Sequence, residues 1–305
     1  MLQGIFVAMM TPLDSNGKPD LKTLQAMTEF MIVQGVDGLF PVSNVGGMIH
    51  LREDEKADVV RATLAQARGR VPVFAGASAS DTRGAAALAA GYAALGADGC
   101  VLSAPYYFPY PQQVILEGMQ NTVRRCPLPV ILYNIPRYAG EITPESVGDL
   151  MREPNVVGIK DSSGSVANLL RLLALRDEKR REDFAVFVGW EEMLLSALQL
   201  GGQGCMTASA GIFPEILHAI CDAARDGRQR RALALQSLIA QATGVFNRVF
   251  FPLGFEWAME ARGFAMGPYS VSFAESAYQA EKADIGRAVR RTLSAFHALM
   301  EENDV

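Results

Sequence analysis

Histidine, cysteine and lysine are scarce in this chain, and each shortage narrows the chemistry it can carry. The three histidines, His50, His218 and His297, lie far apart, and none has a second histidine or a cysteine at metal-ligand spacing. A zinc site needs such clustering, so no metal is expected. The four cysteines, Cys100, Cys126, Cys205 and Cys221, include no CxxC pair. That pattern suits free thiols in a reducing compartment, not a disulfide framework. No apolar run reaches the roughly 18–20 residues of a membrane helix. The apolar stretch Met1 to Met10 lacks a basic segment and a small-residue cleavage site, and it runs straight into Thr11-Pro12. It reads as a strand and a turn, so no signal peptide and a cytoplasmic location are expected. Positive charge is not in excess either: 28 Lys and Arg stand against 33 Asp and Glu, a formal charge of −5. There is no global electrostatic drive toward nucleic acid or an anionic membrane.

What is present is a rhythm. Half of the 305 residues are hydrophobic and a fifth are charged, a globular composition. Short apolar runs rich in β-branched residues alternate with helical patterns. The expected strands are Gly4–Met9, Gly38–Val42, Val71–Ala75, Gly99–Leu102, Val130–Tyr133, Val156–Ile159, Ala185–Val188 and Gly204–Thr207. Most are almost wholly apolar, as parallel strands covered on both faces are. Between them, Asp20 to Gln34 carries Leu21, Leu24, Met27, Phe30 and Met31 close to one helical face. Asp81-Thr82 opens an Ala-rich helix that Gly96 stops, and Glu191–Leu200 meets Gly201-Gly202. Eight strands alternating with helices predict an α/β fold, a (β/α)8 barrel. A doubly wound sheet is the weaker choice, because no GxGxxG follows the first strand. From about Gly227 the strand signals stop, and Arg231–Asn247, Phe255–Arg262 and Glu281–Met300 read as helices. The expected organisation is a barrel over residues 1–226 and a helical region over 227–305 packed on it.

Active sites of such barrels lie at the C-terminal ends of the strands, which gives a short list of candidates. Lys160 is the sharpest. It is one of only six lysines and ends the apolar run Val156-Val157-Gly158-Ile159. Alternation puts Val156, Gly158 and Lys160 on one face, toward the barrel interior. Burial there lowers an amine's pKa, and a neutral amine is what a Schiff-base nucleophile requires. A lysine paired with a carboxylate at the strand mouth is the other reading. Tyr133 closes the neighbouring strand; it is either a proton carrier or a packing residue at the rim. Tyr106 and Tyr107 pose the same question after strand four. The loop Ser43-Asn44-Val45-Gly46-Gly47 is rich in backbone donors and suits a carboxylate. Arg137 follows strand five and Gly189-Trp190 follows strand seven.

Together these residues resemble the class I aldolase family of dihydrodipicolinate synthase and N-acetylneuraminate lyase. The resemblance covers nearly the whole chain. It rests on Val7-Ala8-Met9-Met10-Thr11-Pro12, Ala104-Pro105-Tyr106-Tyr107, Leu132-Tyr133-Asn134-Ile135-Pro136 and Gly158-Ile159-Lys160-Asp161-Ser162-Ser163-Gly164. Leu200-Gly201-Gly202-Gln203-Gly204 and the Pro252–Gly263 segment add to it. It implies a lyase in which Lys160 forms a Schiff base with pyruvate or another 2-oxo acid and an aldehyde can be the second reactant. Tyr133 would move protons, and Tyr107 would join the relay, in some relatives across a subunit interface. Backbone around Asn44 and Val45 would hold the substrate carboxylate. No cofactor is implied. Such relatives are commonly homotetramers, dimers of dimers.

Several positions depart from the family pattern. The loop after strand two usually reads Gly-Thr-Thr-Gly-Glu or Gly-Ser-Thr-Gly-Glu; here an amide and an isopropyl group, Asn44 and Val45, replace the two hydroxyls. Ser43 compensates only if the loop shifts. Dihydrodipicolinate synthases carry an Arg five residues after the tyrosine that closes strand five. Here that place is Tyr138, with Arg137 one earlier, so aspartate-semialdehyde is not the expected partner. Trp190, Phe108 and Met206 are expected to make the site more apolar than a sialic-acid pocket. The expected activity is aldol cleavage or condensation on a 2-oxo acid. Dehydration of a 2-keto-3-deoxy acid and a non-catalytic 2-oxo-acid-binding role are the alternatives.

Overall fold

The computed structural model describes residues 1–301. The strands are β1 (Gly4–Ala8), β2 (Gly38–Phe40), β3 (Phe74–Gly76), β4 (Gly99–Ser103), β5 (Val130–Asn134), β6 (Val156–Asp161), β7 (Ala185–Val188) and β8 (Gly204–Thr207). They form one parallel sheet in the order β2-β1-β8-β7-β6-β5-β4-β3. Its two ends meet through a parallel bridge between Leu39 and Val73. The Gly76 N–H also donates to the Pro41 carbonyl at 3.0 Å. The sheet is therefore a closed (β/α)8 barrel, as the rhythm predicts.

Helices α1 (Leu21–Val33), α2 (Glu53–Ala67), α3 (Thr82–Leu95), α4 (Gln112–Arg125), α5 (Pro144–Leu150), α6 (Val166–Glu178) and α7 (Leu194–Gln199) follow the first seven strands. The short α8 (Ser209–Ile212) and then α9 (Pro214–Arg225) follow β8. Caps fix several starts: the Asp20 carboxylate accepts from the N–H groups of Lys22 and Thr23, and Asp81 does the same for Arg83 and Gly84. Helices α10 (Gln229–Phe246), α11 (Leu253–Ala261) and α12 (Gln279–Glu301) complete the chain. Helix α10 packs on α9 and α12, and α11 packs on α8, close to the end of β8. No helix among the described residues is long and apolar enough to cross a membrane.

Pairing register and ring contacts identify the inward-facing residues. Phe6 on β1 touches Phe74 on β3 (6.1 Å between centroids) and Phe187 on β7 (5.1 Å), strands that are not its neighbours. Such contacts run across the interior. Glycines on adjacent strands leave room for them: Phe6 pairs with Gly38 and Phe74 with Gly99. A β-carbon on either glycine would lie 2.2 Å from the partner ring. These three buried rings fill the barrel floor.

The β5–β6 register corrects one expectation. Val130 faces Val156 and Ile131 faces Gly158, so two steps of β6 are taken up against one of β5. The alternation that links Gly158 to Lys160 therefore does not extend back to Val156. Strand two also ends earlier than expected, at Phe40. Val42 beyond it adopts φ 55°, in the left-handed region that β-branched residues avoid. That turn aims the Ser43–Gly47 loop across the barrel mouth.

Candidate active site

Three adjacent strand ends bring the central residues together. Tyr133 pairs with Lys160 across β5 and β6, and Lys160 pairs with Phe187 across β6 and β7. A buried network braces them from behind. Asn134 donates from Nδ2 to Asp161 Oδ1 at 2.8 Å and accepts from the Ile142 N–H at 3.0 Å; Ser163 donates to Asp161 Oδ2 at 2.8 Å. The polar groups next to Tyr133 and Lys160 are thereby spent on fixing the two strand ends.

Lys160 is 4% exposed. Its Nζ lies 4.3 Å from the Tyr133 ring centroid and 5.2 Å from that of Phe40. It forms no ion pair among the described residues. Burial pulls its pKa down to about 8, with the charge of Glu191 opposing part of the fall. The Tyr133 phenol is pushed up by burial, while a hydrogen bond with Ser162 acts in the other direction. Glu191 is buried as well, and its pKa is raised by burial and by the charge of Glu192; backbone donors and Lys160 oppose the rise. One Glu191 oxygen accepts from the N–H groups of Ala208 and Ser209, both at 3.1 Å.

A cavity of about 100 Å³ opens above Lys160. Asn44, Val45, Arg137 and Gly189 line it together with Tyr133 and Lys160, so six of the expected site residues converge there. The N–H groups of Asn44 and Val45 have no protein acceptor among the described residues. Gly189 gives the site its room: a β-carbon there would stand 1.9 Å from Ser162 Oγ and 2.8 Å from Lys160 Cε. The Arg137 guanidinium lies 5.5 Å from the Tyr138 ring centroid, and Tyr138 stacks on Phe251.

Three expected residues stand elsewhere. Ser43 is buried, donates to the Met9 carbonyl at 2.8 Å and accepts from the Gly46 N–H at 3.1 Å. Its hydroxyl holds the loop and is not on the cavity wall. Met206 is fully buried, paired in register with Phe6, and does not line the cavity. Tyr107 is 86% exposed, has φ 86° and packs on Phe108, outside this chain's cavity. Phe108 is exposed as well, so of the three residues expected to make the pocket apolar only Trp190 lines it.

Other lining residues were not among the candidates. Ser162 and Glu191 lie at strand ends, where the barrel rule could have found them. Asn247, Phe251 and Phe255 come from α11 and the segment before it, a region with no strand signal to relate it to the mouth. No group of three or more His, Cys, Asp or Glu residues is placed to hold a metal among the described residues.

Comparison with known proteins agrees with this geometry. The family described as "Dihydrodipicolinate synthetase family" matches residues 1–290. The 4-hydroxy-tetrahydrodipicolinate synthase of Methylococcus capsulatus is 32% identical over 267 residues, 86% of this chain and 89% of that protein. The structure of YagE, a prophage protein of the dihydrodipicolinic acid synthase family from E. coli K12 in complex with pyruvate, superposes with a TM-score of 0.89. It is 26% identical, over 96% of this chain and 99% of that one. A 2-keto 3-deoxygluconate aldolase from Picrophilus torridus superposes with a TM-score of 0.82 at 25% identity, over 90% of this chain and 100% of that one. The chain therefore belongs to the dihydrodipicolinate synthetase family and is a lyase of the class I aldolase type.

Proposed function

We propose that this protein binds pyruvate or a related 2-oxo acid as a Schiff base on Lys160 and makes or breaks a carbon–carbon bond through the derived enamine. One observation carries the reading: the Lys160 amine is buried, without an ion pair, and held at a pKa of about 8 at the inner end of a cavity. A useful fraction of it is a free nucleophile near neutral pH. The amine adds to the C2 ketone, water leaves, and the iminium draws electrons from C3. Loss of a C3 proton then gives the enamine that attacks an aldehyde; cleavage is the reverse. Tyr133, whose ring stands against the amine, moves protons at these steps. The free N–H groups of Asn44 and Val45 take the substrate carboxylate.

The partner is an aldehyde other than aspartate-semialdehyde, since Arg137 approaches the cavity from one residue ahead of the family's usual arginine. Tyr107, on its exposed loop, would serve the site of a neighbouring subunit in a homo-oligomer. A second reading, dehydration of a 2-keto-3-deoxy acid, is favoured by Glu191, a buried carboxylate on the cavity wall. Such a group can exchange a proton with a substrate hydroxyl.

The test is the mass of the intact protein after borohydride reduction with pyruvate. One adduct on the wild type, absent from Lys160→Ala, is the expected result. The absence of any adduct with pyruvate and larger 2-oxo acids would favour a non-catalytic binding role. Incubating the active protein with aldehydes, aspartate-semialdehyde included, and with 2-keto-3-deoxy acids then separates condensation from dehydration.

A further inference from the structure

Proton transfer at Tyr133 needs a way to return protons to and from solvent, because the phenol is buried and its ring lies against the amine it serves. A hydroxyl beside it is the simplest conduit. The loop after β2 cannot provide one. Asn44 and Val45 carry no hydroxyl, and the Ser43 hydroxyl is committed to the Met9 carbonyl and the Gly46 N–H. Among the residues that line the cavity, Ser162 has the only aliphatic hydroxyl. It is also held in place. The Ser162 N–H donates to the Asn134 carbonyl at 2.8 Å, and the Trp190 indole N–H donates to the Ser162 carbonyl at 2.9 Å. The absence of a side chain at Gly189 leaves the Ser162 hydroxyl and the Lys160 side chain sharing one small space. Ser162 and Tyr133 line the same cavity from adjacent strand ends, and the nearby hydroxyl opposes the rise that burial imposes on the phenol's pKa.

We propose that Ser162 is the relay hydroxyl of this site, passing protons between Tyr133 and solvent in place of the missing hydroxyls of the β2 loop. This rests on the Schiff-base reading above. When the amine adds to the C2 carbonyl, the N–C bond forms and the carbonyl π pair moves onto oxygen, which takes the Tyr133 proton. Ser162 reprotonates the phenolate and is itself resupplied by the nitrogen, which must lose a proton. The Tyr133 phenol then gives its proton to the carbinol oxygen, which leaves as water while the nitrogen lone pair forms the C=N bond, and Tyr133 is left as the phenolate. When the enamine forms, the C3 proton goes to the Tyr133 phenolate and out through Ser162 in exchange for a solvent proton. Ser162 acts through Tyr133 and not on the reacting carbons, so it is a positioning and relay residue.

The test needs no knowledge of the second substrate. Pyruvate incubated with the enzyme in D2O exchanges its methyl protons, which proton NMR follows directly. Borohydride trapping at equilibrium is run in parallel. The expected result is that Ser162→Ala still traps pyruvate on Lys160 but exchanges the methyl protons roughly tenfold or more slowly, a part of the factor general acid–base groups supply. Ser162→Thr is expected to restore exchange to near the wild-type rate, and small buffer acids to rescue Ser162→Ala in proportion to their concentration. Exchange at the wild-type rate in Ser162→Ala, with trapping intact, would overturn the proposal and leave the Schiff-base reading standing. No adduct on the wild type would overturn both. If Ser162→Ala does not fold, Ser162→Cys takes its place. Its ionisable thiol must shift the pH profile of exchange, and an unshifted profile overturns the relay.

Discussion

At the scale of single residues, the site is assembled at the expense of stability. Below about pH 8 the folded chain buries the Lys160 ammonium, which the unfolded chain keeps in water. Between about 8 and the ordinary value of 10.5, the unfolded chain holds the proton and the folded chain does not. The unfolded state binds more protons there, so stability rises with pH across that window. Lys160→Met keeps the volume and removes the charge. It should be more stable than the wild type by ~1–3 kcal/mol at pH 7 in urea unfolding, with the advantage fading as pH rises past the window. Lys160 itself was legible in the sequence because a lysine closing an apolar run in a chain with few lysines is conspicuous. The direction of the Ser43 hydroxyl was not legible, because spacing does not reveal which way a loop hydroxyl points; here the Met9 carbonyl captures it. The single-chain position of Tyr107 could not be read either, since its φ of 86° turns the loop outward in a way the residue type does not announce.

At the scale of elements, glycines and aromatic rings divide the barrel interior between them. Phe6 lies over Gly38 and Phe74 over Gly99 on the neighbouring strands. Gly38→Ala would drive a methyl group into the Phe6 ring, which is itself wedged against Phe74 and Phe187. Overpacking of this kind is expected to lower stability by ~1–3 kcal/mol, read from the denaturation midpoint, while the Lys160 adduct still forms. The strand identities and the helix starts near Asp20 and Asp81 followed from composition and periodicity. The bulge opposite Val130 and Ile131 did not, because alternation within a short apolar strand looks the same with or without an inserted residue. The early end of β2 has a similar cause: Pro41 and Val42 are apolar, and apolar character alone does not separate a strand from the turn that follows it.

At the scale of the whole molecule, the barrel followed from eight repeats of one rhythm, but the part played by the last helices did not. Asn247, Phe251 and Phe255 reach the cavity because α11 packs on α8 at the barrel mouth, and no local pattern encodes that docking. The same docking shelters Glu256, whose carboxyl is raised to about 7 by burial and by the nearby Glu260. Between the ordinary value of 4.5 and about 7, the folded chain holds a proton that the unfolded chain has released. Stability is therefore lost as pH rises through that window. Glu256→Gln should be more stable than the wild type by ~1–2 kcal/mol at pH 8, allowing for solvent screening, and no different near pH 4, measured by thermal unfolding across pH. The aromatic floor has a consequence for the order of events. Phe6, Phe74 and Phe187 pack the barrel interior, and the cavity is lined instead by the strand ends and the loops that follow them. On the Schiff-base reading proposed above, the 2-oxo acid must be seated on the amine before the second reactant, which waits behind it at the threshold. On that same reading, a compound lodged at the threshold would not compete with the 2-oxo acid; it would lock it in.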